Sequence, residues 1–94
     1  MEEIKNIKIN MKENKYILLS KIKNGSRIFH YDYDNSWEMD GRKLSNNIKD
    51  TTIINDLVEL EIDGFINGPC TLSGRAAILL SKGEKAITDY EFTK

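Results

Sequence analysis

His30 and Cys70 are the only histidine and the only cysteine in this chain. A nucleophile needs an adjacent base, and the base needs a third group to orient it. No spacing pairs His30 with Cys70 or supplies that third partner. A single thiol cannot close an internal disulfide, and no ligand set gathers around it for a metal. Cys70 therefore reads as a small core residue on a strand. Asp32, Asp34, Glu38 and Asp40 carry the hard oxygens that suit calcium or magnesium. Their spacing matches no EF-hand loop, so they read as a solvated acidic edge or as a surface for a protein partner. Gly64, Gly68 and Gly74 are accounted for by a helix stop, a turn and a helix entry, which leaves no glycine-rich phosphate loop. The expectation is a protein that is not an enzyme and uses no metal or cofactor.

The elements that position these residues follow from periodicity. Tyr16, Leu18, Leu19 and Ile22, with Met11, recur at helical spacing after a candidate N-cap at Asn10, and Asn24-Gly25 supplies the stop. Ile4, Ile7 and Ile9 in residues 1–9 fit either an extended arm or an earlier helical turn. Phe29, Tyr31 and Tyr33 alternate with His30, Asp32 and Asp34, which predicts a strand over 27–34. With Trp37 these rings could stack the bases of a single-stranded nucleic acid; the commoner use of such an alternation is to bury one face, and a core role is expected. Asp34-Asn35-Ser36 turns the chain, and Trp37-Glu38-Met39 fits either a short return strand or the first turn of a helix. Asp40-Gly41 is either a turn or the N-cap of a short helix through Ile48 with Leu44 inward.

Asp50 or Thr51 is expected to cap the next helix. Its wide apolar face comprises Ile53, Ile54, Leu57, Val58, Leu60 and Ile62, with Thr52, Asn55, Asp56 and Glu59 outward. Asp63-Gly64 ends it. Phe65-Ile66 is expected to pair with Cys70-Thr71-Leu72 across Asn67-Gly68-Pro69, and a last helix over 73–92 carries Ala77, Leu80, Ile87 and Tyr90. The expected class is α+β, in the order helix, strand, helix, helix, strand, strand, helix, as one domain over 1–94.

Residues 57–80, LVELEIDGFINGPCTLSGRAAILL, pass from helix through a narrow hairpin to a second helix. The passage resembles the "Leu-Glu-x-x-Gly-phe-Ile … Leu-Thr-x-x-Gly-Arg" stretch of winged helix-turn-helix proteins such as the MarR and PadR regulators. The element order over 10–80 is similar to theirs. The resemblance implies a transcriptional regulator of bacterial, phage or mobile-element origin that binds double-stranded DNA. In that family the helix before the wing reads base edges in the major groove. By resemblance, Asn46, Asn47, Lys49, Thr51, Thr52 and Asn55 take that role, with phosphates met by Arg42, Lys43, Lys49 and Arg75. The other use of these Asn and Thr residues is as caps and turns between two helices. A homodimer through Ile78, Leu79 and Tyr90 of the last helix would double the footprint.

Composition bounds these readings. The 94 residues are 39% hydrophobic and 31% charged, enough for one core and unlike a disordered chain. No apolar run approaches the ~20 residues that span a bilayer. The charged N-terminus lacks the apolar stretch of a signal peptide, so a cytoplasmic protein without membrane contact is expected. Richness in Ile, Lys and Asn suggests an AT-rich genome. Net charge is −1, but it divides into +4 over 1–27, −6 over 28–66 and +1 over 67–94. Carboxylates near a recognition helix oppose a polyanion. The alternative is therefore an interaction module, for instance a phage-type inhibitor. In it Asp32, Asp34, Glu38, Asp40, Asp56 and Glu59 meet a basic surface on a host protein, with Tyr31, Tyr33 or Trp37 as anchors.

Overall fold

The computed structural model describes residues 12–93. Helix α1 (Glu13–Lys23) has Glu13 in its first turn and Lys21 and Lys23 in its last, each sign at the end the helix dipole favours. Asn24-Gly25 stops it as expected, with the Asn24 and Gly25 amides bonded back to Ser20, Lys21 and Ile22. Lys12, not Asn10, precedes its first residue; Asn10, Met11, Ile4, Ile7 and Ile9 lie outside the described residues.

Strand β1 (Ile28–Tyr31) is shorter than expected and faces the other way. Ile28 and His30 are buried, whereas Phe29 and Tyr31 are half-buried and Tyr33 is exposed. Parity decides this: strand side chains alternate, so seating Ile28 in the core turns every odd-numbered aromatic outward. β1 pairs with β2 (Ser36–Met39) in the register His30↔Trp37, and β2 pairs with β3 (Arg42–Lys43). Of the two readings of Asp40-Gly41, the turn is the one that forms, and the short helix through Ile48 does not. Asp40 (φ 52°) and Gly41 (φ 87°) both lie in the left-handed region, so Met39 and Arg42 close a two-residue hairpin instead. Asp-Gly is a preferred pair for that turn, whose twist matches the strands it joins.

A single helix, α2 (Ile48–Ile62), follows, and Asn47 rather than Asp50 or Thr51 caps it: its Oδ1 accepts the Asp50 amide at 2.7 Å. It ends at Asp63-Gly64 as expected. The Phe65 amide bonds to the Leu60 carbonyl and the Gly64 amide to the Glu61 carbonyl, the paired closure of a Schellman motif.

The ribbon that follows is longer than expected and has other partners. β4 (Ile66–Asn67) pairs with β6 (Ile78–Leu79), and the same register continues to a Cys70↔Arg75 bridge. Residues 66–70 thus run against 75–79, and the tight loop is 71–74 rather than Asn67-Gly68-Pro69. Thr71 holds that loop, its hydroxyl accepting the Ser73 and Gly74 amides. β5 (Gly74–Ala76) lies along β1 on its other edge, giving the sheet order β3-β2-β1-β5. A Cβ on Gly74 would fall on the His30 carbonyl oxygen, so this approach requires glycine. Residues 73–76 are therefore strand, and the last helix, α3 (Ser81–Thr93), starts later than expected.

The result is a compact α+β domain, with three helices and a small antiparallel sheet among the described residues. Leu18, Leu19, Ile28, Trp37, Leu44, Leu57, Leu60, Ile66 and Ile87 form the core. Tyr90 of α3 stacks on Tyr16 of α1 with ring centroids 4.3 Å apart. The expected order, with a second helix between the first strand and α2, gives way to strands in that interval.

Candidate docking surface

Two ion-pair clusters tie α2 to the sheet. At its start the buried Asp50 carboxylate accepts both guanidinium nitrogens of Arg42, at 2.9 and 3.0 Å. It also accepts the Ser45 amide at 3.0 Å and the Ser45 hydroxyl at 3.2 Å. The Arg42 guanidinium, helped by the Ser45 amide, holds the Asp50 carboxyl well below the usual carboxylate range. At the other end, Arg75 Nε and Nη2 donate to Glu61 at 2.5 and 2.7 Å. Arg75 Nη1 reaches His30 Nδ1 at 3.1 Å, and the guanidinium lies 5.8 Å from the Trp37 ring centre. On the other side of the ring His30 Nε2 lies 2.7 Å from Asn35 Oδ1, and Asp32 Oδ1 lies 3.3 Å from Nδ1, so both ring nitrogens have polar neighbours inside the sheet–helix layer.

These clusters consume most of the residues proposed for DNA. Arg42 and Arg75 are bound to Asp50 and Glu61, and Lys43 to Asp34 at 2.8 Å. Asn47 caps α2 and donates to Ser45 Oγ. The Thr51 and Thr52 hydroxyls donate to the Asn46 and Ile48 carbonyls. Asn46, Lys49 and Asn55 stay exposed.

The residues proposed for a basic partner are also redistributed. Trp37, proposed as a surface anchor, is only 3% exposed and belongs to the core. Asp56, expected outward, is 8% exposed. Asp32 lies near His30 and Arg75, Asp34 accepts from Ser36 and Lys43, and Asp40 accepts the Arg27 amide. Glu38 accepts the Tyr31 hydroxyl, and Glu59 pairs with Lys15 at 2.5 Å. Tyr90, proposed for a dimer, is packed on Tyr16, while Ile78 remains exposed. Cys70, expected in the core, is exposed.

The sequence reading did not anticipate four large apolar side chains in solvent: Ile48 at 87%, Ile62 at 77%, Leu72, fully exposed at 105%, and Phe92 at 88% near the end of α3. At about 100° per residue, Ile48, Thr51, Thr52, Asn55, Val58, Glu59 and Ile62 share an arc of roughly 120° on α2. Leu72 stands in the loop of the ribbon that follows. Periodicity hid Ile62 because it extends the apolar run; its helical angle, close to that of Asn55, was the signal that set it outward. No protein-family model matches the chain, and no curated protein or solved structure matches it. Among the described residues, no helix is long and apolar enough to cross a membrane, and no group of three His, Cys, Asp or Glu side chains is placed to hold a metal.

Proposed function

We propose that this chain is a binding module that docks on another protein through the outward stripe of α2 and the loop of its ribbon, and performs no catalysis. The observation that carries this reading is the solvent exposure of Ile48 and Ile62 on α2 and of Leu72 in the ribbon loop. Interface centres are poor in charge and rich in apolar contact, and exposed apolar patches mark such sites. The test is a photo-crosslinking residue at position 48, 62 or 72, used in the cells that make the protein. A discrete protein adduct from all three positions, lost when Ile48→Ser and Ile62→Ser are combined, is expected. No adduct, or one unchanged by those substitutions, rules the reading out.

The winged helix-turn-helix reading, with duplex DNA as ligand, is favoured by a different observation. A helix leads directly into an antiparallel ribbon whose second strand adds to β1, and Lys49 and Asn55 lie exposed on that helix. A regulator of this kind would bind duplex at low salt, with affinity falling as salt rises. Its weakness is that Arg42, Lys43 and Arg75 already have carboxylate partners. Lys49→Glu should abolish low-salt duplex binding if DNA is the ligand and leave the protein adduct intact if it is not.

A further inference from the structure

His30 is buried, and its Nδ1 has two neighbours with opposite requirements. Arg75 Nη1, from β5, lies 3.1 Å away, and Asp32 Oδ1, from the turn after β1, lies 3.3 Å away. A guanidinium nitrogen can only donate, so it needs the Nδ1 lone pair; a carboxylate can only accept, so it needs a proton on Nδ1. One ring nitrogen cannot satisfy both at once. On the opposite side Nε2 lies 2.7 Å from Asn35 Oδ1, and the Trp37 ring of β2 stands edge-on with centres 4.8 Å apart, so the imidazole is held from two further directions. Among the described residues the charged groups around it are Arg75, Asp32 and, from α2, Glu61, which Arg75 grips through Nε and Nη2. Cys70 faces Arg75 across the ribbon. One cation and two carboxylates give this cluster a net charge of −1 while the ring is neutral.

We propose that His30 is a proton-driven switch that hands its Nδ1 from Arg75 to Asp32 when the ring takes up a second proton from solvent. A doubly protonated imidazole donates from both nitrogens and has no lone pair left to accept. The Arg75 contact then sets two donors and two cations against each other and must open, while the Asp32 contact becomes a charge-assisted hydrogen bond. The proton brings the charge of the cluster to zero, which offsets part of the cost of charging a buried ring. Arg75 keeps Glu61, so what opens is the tie between the ribbon and β1, not the tie between the ribbon and α2. β5 pairs with β1 through Phe29↔Ala76, His30↔Arg75 and Tyr31↔Gly74, and the loop carrying Leu72 runs straight into it. Acidification over about pH 8 to 5, the range in which histidine side chains charge, thus loosens the β1–β5 edge beside that loop. The switch is a property of the fold and stands whether or not Leu72 docks on a partner.

The experiment uses the whole ¹⁵N-labelled chain, in which His30 is the only imidazole, so its ring signals identify themselves. Long-range ¹H–¹⁵N spectra are recorded from pH 8 to pH 5, together with the Arg75 Nε–H signal and the backbone amides. As both ring nitrogens become protonated in the folded chain, the Arg75 signal and the amides of residues 74–76 should move with the same midpoint. Amide exchange in β5 should rise severalfold beyond the ordinary effect of pH, and exchange in α1 should not. Asp32→Asn removes the carboxylate that receives the proton but keeps the bond from the amide of residue 32 to the Ser73 carbonyl. Its ring should titrate at lower pH than that of the parent, by about half a unit. The proposal is overturned by a ring that stays singly protonated until the chain unfolds, or by a titration that leaves Arg75 and residues 74–76 unmoved. An unchanged midpoint in Asp32→Asn overturns it as well.

Discussion

Arg75 on the ribbon and Glu61 on the last turn of α2 hold each other through two parallel hydrogen bonds of 2.5 and 2.7 Å. The same guanidinium reaches His30 Nδ1 in β1 at 3.1 Å, so one side chain joins helix, ribbon and sheet. Arg75→Met keeps much of the stem but leaves Glu61 and His30 Nδ1 without their donor. We expect a loss of about 1–3 kcal/mol in urea unfolding, the usual cost of half-buried groups left unsatisfied. Amide exchange in β5 and β6 should rise before that in α1. Unchanged exchange in those strands would show that the cluster does not anchor the ribbon.

Acid sensitivity should centre on Asp50. Arg42 and the Ser45 amide lower its folded pKa from the ordinary 3.8, so the unfolded chain binds its proton more readily. Stability from this group is fully present above that value and is lost as pH falls below it toward the folded pKa. Asp34, held by Lys43, and Glu59, held by Lys15, act in the same direction. The melting temperature should therefore be level above about pH 5 and fall below about pH 4. Asp50→Asn should melt lower at neutral pH and show a shallower acid limb. An acid limb as steep as that of the unaltered protein would remove Asp50 from this role.

The N-cap of α2 can be tested separately from any ligand. Asn47→Ala should cost about 1 kcal/mol, and Asn47→Ser only a fraction of that, because a serine oxygen can still accept the Asp50 amide. Equal losses for both would place the Asn47 contribution in its bond to Ser45 instead.

Gly41 carries the hairpin that replaces a helix. Its φ of 87° suits glycine, and alanine there should cost about 1–2 kcal/mol. The Met39–Arg42 amide contacts seen by nuclear Overhauser effects should weaken in the variant. Unaltered stability would mean that the turn adapts without strain.

Leu72 and Ile62 face solvent, so their loss should not harm the fold. Leu72→Ser and Ile62→Ser are each expected to stay within about 0.5 kcal/mol of the parent in stability. Larger losses would reveal that these side chains are packed in solution, and the docking stripe would shrink accordingly.

Local signals sufficed wherever neighbours in the chain decide the outcome. Asn24-Gly25 and Asp63-Gly64 stop α1 and α2 because the backbone bonds that close a helix join residues a few positions apart. The α+β class, the heptad-like burial of Leu57 and Leu60, and the presence of a ribbon after α2 were legible on the same ground. Tertiary structure alone decided the parity of β1, because alternation fixes which residues share a face but not which face meets the core. It also decided that residues 75–79, rather than 70–72, complete the ribbon, since β5 gains a second partner in β1 only in that register. The fate of the charges was likewise non-local. Arg75 finds Glu61 and Arg42 encloses Asp50 only once helix and strands are assembled, and Asp56 turns inward only when α1 lies beside α2.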